Sequence, residues 1–468
     1  MLELREVRVA LSGRGTVLDG VSLTADDGQV TALVGPGGRG YSTLLNAITR
    51  RLPFGSQHSG SILLDGVDLL QADPGDVASR VLLVRPDDAD PRTVGEALDE
   101  LGADPRDYGL DERRDRTIAS LPADLRARVA LARLELEPPR PVVLADQLMA
   151  AADPLLRRDL GEALRARAAD GAHVLWAEHQ LDAVWEFADA IIEPGHPTTP
   201  ADSWKPSTVR EPTLLTLARI FRLPQDRCRT SADVRRLIGN PALTKPVPSS
   251  KRTARTPEVT VDASEIALTG RALDLLSGEC VGIVSRDGRA EPVARRLASR
   301  LRATRVPSVL PDHLTPAEVA HDWDARHRTR TAAELRTVPG IRPSTPLSEH
   351  SSSELAALRL LLARSTARAV WLPQPQLGLD QAGQIAAQRE LFGTTPGIRI
   401  VTTRDIEFLV RACNRIAVIE GDEIVAFGSP AAVQHQLPTP PLTAQALVHS
   451  APTRLSEIIE SVAAGGAA

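Results

Sequence analysis

The stretch GPGGRGYSTLL, residues 35–45, decides the fold. It follows a short apolar run, Val30–Val34, and leads into a helical pattern, so it reads as strand, glycine turn, helix. Gly35, Gly38 and Gly40 sit where a backbone must curl to point successive N–H groups at phosphate oxygens, and Ser42 and Thr43 open the helix. The spacing of Gly35, Gly40 and Ser42 is that of a phosphate loop, G-x-x-x-x-G-K-[ST], except that Tyr41 stands at the lysine position. The turn alone also accounts for the glycines, which supply backbone conformations other residues resist.

Composition narrows the classes. The chain has 468 residues, enough for two or three domains, and a net charge of −5, which excludes a global basic field for nucleic acid. Its basic residues are nearly all arginine. The only lysines are Lys205, Lys245 and Lys251, all in a Pro/Ser/Thr-rich middle region, so no lysine can serve a phosphate loop. Cys228, Cys280 and Cys413 are far apart, lack metal-ligand spacing and suit a reducing compartment. No apolar run approaches the roughly 20 residues that span a bilayer. The start of the sequence, MLELREVRVALSG, lacks the pattern of a signal peptide. The expectation is a cytoplasmic chain that can dock on a membrane protein.

The sequence repeats itself. DGQVTALVGPGGRGYSTLL (27–45) matches SGECVGIVSRDGRAEPVAR (277–295), and VALARLELEPPRPVVLADQLMAAADP (129–154) matches LRLLLARSTARAVWLPQPQLGLD (358–380). GAHVLWAEHQLDAVWEFADAIIEP (171–194) matches GIRIVTTRDIEFLVRACNRIAVIE (397–420). Strands alternating with helices imply a mostly parallel sheet in each half. The expected organisation is a first α/β domain at 1–198, a short helical tail and linker at 199–256, a second domain at 257–437 and a helical tail at 438–468. Within the middle region, residues 213–221 place Leu214, Leu215, Leu217, Ile220 and Phe221 at helical spacing, and 245–257 has linker composition.

The order of these pieces resembles the ATP-binding cassette (ABC) ATPases, in two copies over nearly the whole chain. The resemblance implies two tandem P-loop NTPase-like ABC domains, each a mostly parallel sheet with a helical subdomain. It gives Gly35, Gly38, Arg39, Gly40, Tyr41, Ser42 and Thr43 a nucleotide-binding role, with Ser42 and Asp146 toward Mg²⁺. Gln147 stands where the family's catalytic glutamate would be, His179 fits the switch histidine, and Asp153 and Asp380 fit the D-loops. The first signature is replaced by Leu121–Leu125, and the family's Q-loop glutamine is absent near Val84-Arg85-Pro86-Asp87. In the second half Glu291 and Pro292 replace the lysine and hydroxyl residue, Pro373 and Gln374 the Walker B carboxylates, and Arg404 the histidine, whereas the signature Ser351, Ser352, Ser353 and Glu354 is better kept. Head-to-tail pairing of the two cassettes, as in the family, would combine the first loop with that second signature into one residual ATP–Mg²⁺ site and leave the other site dead.

The substitutions bear on activity. A charge-assisted hydrogen bond contributes about 1.5–3 kcal/mol, and the missing lysine would make more than one. Gln147 cannot accept a proton from attacking water. Each residue also has a plainer role open to it. Asp146 suits a strand-end cap, His179 an interface hydrogen bond, and Ser351 with Glu354 a helix capping box. The tails at 210–238 and 440–462 resemble those of energy-coupling-factor transporter ATPases, which implies a transmembrane coupling subunit as partner, with room for a second, active ATPase, and no nucleic acid. Two functions follow from the resemblance: an impaired ATP-binding subunit of such a transporter, peripheral to the inner face of the membrane, or a catalytically dead scaffold of a transport complex; a third, soluble tandem cassettes acting on ribosomes, is disfavoured by the Pro/Ser/Thr-rich linker and the negative net charge.

Overall fold

The computed structural model describes residues 1–12, 14–86, 90–239, 257–366, 369–392 and 397–447, together with Arg454 and Ile458. The linker expected at 245–257 therefore lies outside the described residues except for Pro257, as do Asp87 and most of the final tail beyond Leu447. Among the described residues no helix is long and apolar enough to cross a membrane. The chain divides into two compact units, Met1–Pro212 and Thr213–Ala468.

The first unit opens with β1 (Leu2–Leu11), β2 (Gly15–Ala25), β3 (Val30–Leu33), α1 (Tyr41–Ile48), β4 (Gln57–Leu64) and β5 (Val67–Asp68). Then come α2 (Pro74–Arg80), β6 (Val81–Val84), α3 (Val94–Glu100), α4 (Ala123–Leu136) and β7 (Val142–Asp146). It closes with α5 (Pro154–Ala169), β8 (His173–Ala177), α6 (Leu181–Phe187), β9 (Ala190–Ile192) and β10 (Thr199–Pro200). Strands β2-β1-β4-β5 form an antiparallel sheet, and β10-β9-β3-β8-β7-β6 a second sheet, parallel except at β10–β9. The parallel strands VTAL, VLLV and VVLAD are buried along their whole length, which is why they are continuous apolar runs. Leu44, Leu45 and Ile48 of α1 pack into the same core as Leu33, Leu144 and Leu175, which fixes the glycine loop to the sheet. A separate small core of Val94, Leu98, Leu110, Ile118, Leu121 and Val129 holds the helical part of the unit.

The second unit begins with α7 (Thr213–Ile220) and α8 (Ser231–Ile238), then β11 (Val259–Val261), β12 (Thr269–Gly270), β13 (Leu273–Leu275), β14 (Cys280–Ser285) and α9 (Ala290–Arg300). After β15 (Thr304–Arg305) come α10 (Pro316–His327), α11 (Thr331–Glu334), α12 (Ser352–Arg364), β16 (Val370–Pro373), α13 (Gln381–Phe392) and β17 (Arg399–Thr402). The rest is α14 (Ile406–Ala412), β18 (Arg415–Glu420), β19 (Glu423–Gly428), α15 (Pro430–Val433) and α16 (Leu442–Ala446). Its main sheet runs β12-β19-β18-β14-β17-β16-β15. The inner order β18-β14-β17-β16-β15 matches β9-β3-β8-β7-β6 of the first unit strand for strand, all parallel. The internal repeat is therefore a repeat of fold: two P-loop-type α/β cassettes in tandem.

The amphipathic segment at 213–221 is α7, with Leu214, Leu215 and Leu217 buried. It belongs to the second unit, where Arg411 of α14 donates to Thr213 Oγ1 at 3.0 Å and Arg235 of α8 donates to the Gln445 carbonyl at 2.7 Å. Segments that follow the first and second cassettes thus pack together, with Leu442 N donating to Glu407 of α14 at 2.6 Å.

In the first unit a buried carboxylate anchors the chain beyond β9. Glu193 accepts from Trp204 Nε1 at 2.8 Å, from Ser207 Oγ at 2.9 Å, and from the N–H and hydroxyl of Thr208 at 2.6 Å each. Burial alone would raise the Glu193 pKa, but the Thr208 and Ser207 donors outweigh it and hold the carboxyl below its ordinary value. A lowered carboxyl pKa gives stability that is full above the unfolded pKa and is lost as pH falls through the folded one. In thermal melts, Glu193→Gln is expected to cost about 1–3 kcal/mol at neutral pH. The deficit should shrink below roughly pH 4. A deficit independent of pH would show that the charge contributes nothing.

Candidate functional site

The glycine loop is shaped as a phosphate cradle requires. Gly38 and Gly40 have φ of 79° and 80°, the left-handed region that favours glycine, and Gly40 is the N-cap of α1. A Cβ on Gly40 would also meet Leu18 at 2.7 Å and Val17 at 2.9 Å. Tyr41, the first residue of the helix, turns inward. Its hydroxyl donates to the Val34 carbonyl at 3.0 Å, and its ring packs against the β-sheet core. Burial, and after it the charge of Glu193, pushes the phenol pKa well up, so Tyr41 stays neutral. The side chain at the lysine position therefore braces the strand end beneath the loop. Arg39, two residues before it, is exposed.

Beside the loop, Ser42 Oγ donates to Asp146 Oδ1 at 3.1 Å, so the end of β7 and the start of α1 are tied together. Asp146 is buried, and its other oxygen, Oδ2, lies 3.6 Å from Arg85 Nη2. Arg85 follows β6 and also donates to Asn46 Oδ1, one turn into α1, at 2.8 Å. Ser42 and Asp146, expected near Mg²⁺, are thus brought together, with a guanidinium from the chain itself on the carboxylate. Arg85 thereby sets a positive charge against the Asp146 carboxylate.

The loop after β7 is pinned by another buried acid. Glu178 Oε2 accepts from Met149 N at 2.9 Å and from Trp176 Nε1 at 3.3 Å, while Oε1 accepts from the backbone N–H of His179 at 2.8 Å and of Gln180 at 3.2 Å. Gln147 adopts φ 52° and donates its N–H to Ala177 O at 2.8 Å, which aims the side chain off the strand. Both Gln147 and His179 are half-buried. Asp153 caps α5, accepting from the N–H groups of Leu155 and Leu156 at 3.0 Å each, and lies 3.7 Å from Arg128.

The second unit keeps the backbone and loses the chemistry. Gln374 has φ 46° and donates to Thr402 O at 2.7 Å, repeating the geometry of Gln147. Its loop, however, is closed on itself. Ser285 Oγ accepts from Ala290 N at 2.9 Å, occupying the helix N-terminus, and Glu291 lies 3.5 Å from Arg305. Ser351 and Glu354 form a reciprocal capping box on α12: Ser351 N donates to Glu354 at 2.7 Å and Glu354 N to Ser351 Oγ at 3.3 Å. Ser352 and Ser353 are the first residues of that helix. Asp380 accepts from Gly383 N at 2.7 Å, a cap like that of Asp153.

Sequence reasoning missed the roles of Arg85, Asn46 and Glu178. For Arg85 the signal was its position: an arginine after a buried strand, within the stretch Val84–Asp87 where the family's glutamine is expected. Glu178 had a weaker one, an acid between the apolar strand HVLWA and His179.

The family model described as ABC transporter matches residues 18–149. A putative ABC transporter ATP-binding protein of Streptomyces avermitilis is 27% identical over 540 aligned positions, covering 92% of this chain and 94% of that protein. The hemin import ATP-binding protein HmuV of Roseobacter denitrificans is 33% identical over 219 residues, 42% of this chain and 82% of its own length. Among solved structures, RNase-L Inhibitor superposes with a TM-score of 0.56 at 17% identity, over 91% of each chain, a likeness of fold.

Removal of the buried Glu178 carboxylate leaves its donors without their acceptor. Glu178→Ala is expected to cost about 3 kcal/mol or more in urea unfolding. A loss within about 0.5 kcal/mol, the range of an ordinary surface change, would show that the loop after β7 does not depend on it.

Proposed function

The chain belongs to the ABC transporter family of ATP-binding proteins, as two cassettes in tandem, and on that premise we propose that it is the ATP-binding subunit of an energy-coupling-factor-type membrane transporter, with impaired hydrolysis. Proteins of this family bind ATP, generally with Mg²⁺. Here the residual nucleotide site is the glycine loop of the first unit, residues Gly35 to Thr43, with Asp146, Gln147 and His179 around it. The observation that carries the reading is the loop itself. Its left-handed glycines and the free run of α1 behind them keep a phosphate-binding backbone. The second loop supports no such reading, because Ser285 already accepts from its helix N-terminus.

Impaired turnover follows from two side chains. Tyr41 donates to Val34 O and so offers no charge to a phosphate. Gln147, held at φ 52° after β7, cannot act as general base. The partner in this reading is a transmembrane coupling subunit, and a second ATPase with intact residues would supply hydrolysis. A specific observation also favours the scaffold alternative: the buried carboxylates near the first loop, Asp146 and Glu178, are met by donors from the chain itself, so the cassette holds its shape without nucleotide.

The readings separate on purified protein. Binding predicts a thermal shift at millimolar ATP, and no shift would leave only the scaffold. ATP turnover that Asp146→Ala abolishes would instead remove the scaffold reading.

Tyr41→Phe deletes only the bond to Val34 O. It is expected to cost about 1 kcal/mol of stability and to leave ATP affinity unchanged. A drop in affinity would place the hydroxyl on the phosphates. Tyr41→Lys combined with Gln147→Glu is expected to raise ATP affinity by about tenfold or more, since each charge-assisted bond contributes about 1.5–3 kcal/mol. No gain in a titration would show that the loop no longer reaches the nucleotide.

A further inference from the structure

We propose that the Arg85 guanidinium takes the place of a divalent cation in the first cassette, so that its loop binds a nucleoside triphosphate without Mg²⁺. The proposal rests on the reading of residues 35–43 as a nucleotide site. It concerns which cation neutralises Asp146.

A buried carboxylate beside a polyphosphate must be neutralised, because two like charges in a poorly solvated site repel strongly. A metal ion could meet that need, and so could a fixed cation from the chain. Arg85 Nη2 stands 3.6 Å from Asp146 Oδ2, with both side chains largely out of solvent. The guanidinium is held from a second side, since it donates to Asn46 Oδ1 at 2.8 Å on the helix that the phosphate loop opens. The remaining carboxylate oxygen, Oδ1, accepts from Ser42 Oγ at 3.1 Å. Both oxygens of Asp146 are therefore committed.

Mg²⁺ does not fit this arrangement. It demands oxygen ligands at about 2.0–2.1 Å in near-octahedral order. An ion at that distance from Oδ2 would lie within about 6 Å of the Arg85 guanidinium. A metal taken directly on Oδ2 would compete with Arg85 for that oxygen and set two cations side by side in a poorly solvated place. Arginine in turn suits the task, because its planar donors match phosphate oxygens as well as carboxylates. The absence of lysine from the loop fits the same picture: the positive charge near the phosphates comes from the end of β6 instead of from position 41.

Calorimetric titration of ATP into the full chain, with excess EDTA and with excess Mg²⁺, tests the assignment. The two affinities are expected to agree within about fivefold, and a larger gain from Mg²⁺ overturns it. In Arg85→Gln the carboxylate is released, and Mg²⁺ is expected to strengthen ATP binding by about tenfold or more, whereas Arg85→Lys should stay metal-independent. An Arg85→Gln protein that is folded by circular dichroism and gains nothing from Mg²⁺ also overturns it. If that variant does not fold, the wild-type pair of titrations decides alone. Absence of ATP binding by the wild type in both buffers sinks the nucleotide site itself, and this assignment with it, an outcome distinct from metal-dependent binding.

Discussion

A carboxylate at the end of a buried parallel strand needs a counter-charge, and in the first cassette Asp146 finds it within the chain. Arg85 from the end of β6, Ser42 from the start of α1 and Asn46 one turn later converge on or beside that carboxylate. Three elements that carry the loop chemistry are thereby tied at one point. Removing either charge would leave the other buried without its counter-charge, which costs more than the pair contributes. The phosphate loop can thus keep its shape although its lysine position has turned inward to Val34.

The second cassette reaches the same backbone by a different route. Its strand β16 ends in Pro373, so there is no carboxylate to neutralise. The buried arginine there, Arg359, donates to the carbonyls of Pro307 at 2.9 Å and Pro373 at 2.7 Å, and burial pulls its pKa down to about 10. The next residue is nonetheless a glutamine in left-handed conformation in both halves, bonded to the neighbouring strand. Backbone geometry at this corner follows from the parallel sheet and persists whether or not charge is present. Chemistry at the corner depends on side chains that differ between the halves.

Much of this was legible in the sequence because it is local or periodic. The apolar runs, the glycine turn and the threefold internal match led to two parallel sheets, and the strand orders agree. The capping box at Ser351 and Glu354 was legible for the same reason, since its partners are three residues apart. What escaped was long-range. No local pattern shows that Tyr41 turns toward Val34 instead of the phosphates, because sheet packing decides its rotamer. Nor does one show that Arg85 meets Asp146, since the two come from separate strands brought side by side by the β6–β7 pairing. The convergence of α8 and α16 within the second unit likewise depends on contacts between distant segments.

The two cassettes separate what a P-loop fold needs from what its chemistry needs. Sheet order, left-handed glycines and the corner after the third strand in sequence of the inner sheet belong to the fold, and at least one of the glycines survives in each half. Lysine, glutamate and a metal-binding carboxylate belong to turnover, and their loss does not disturb the core. Between these lies charge balance. Where the carboxylate is kept, an internal cation comes with it; where it is gone, the strand end is built from carbonyls and a buried arginine. A buried charge carries a desolvation cost unless it faces an opposite one, and here Asp146 and Arg85 face each other. Asp146 and Arg85 are kept together beside the glycine loop of the first unit, whereas strand β16 of the second ends in Pro373.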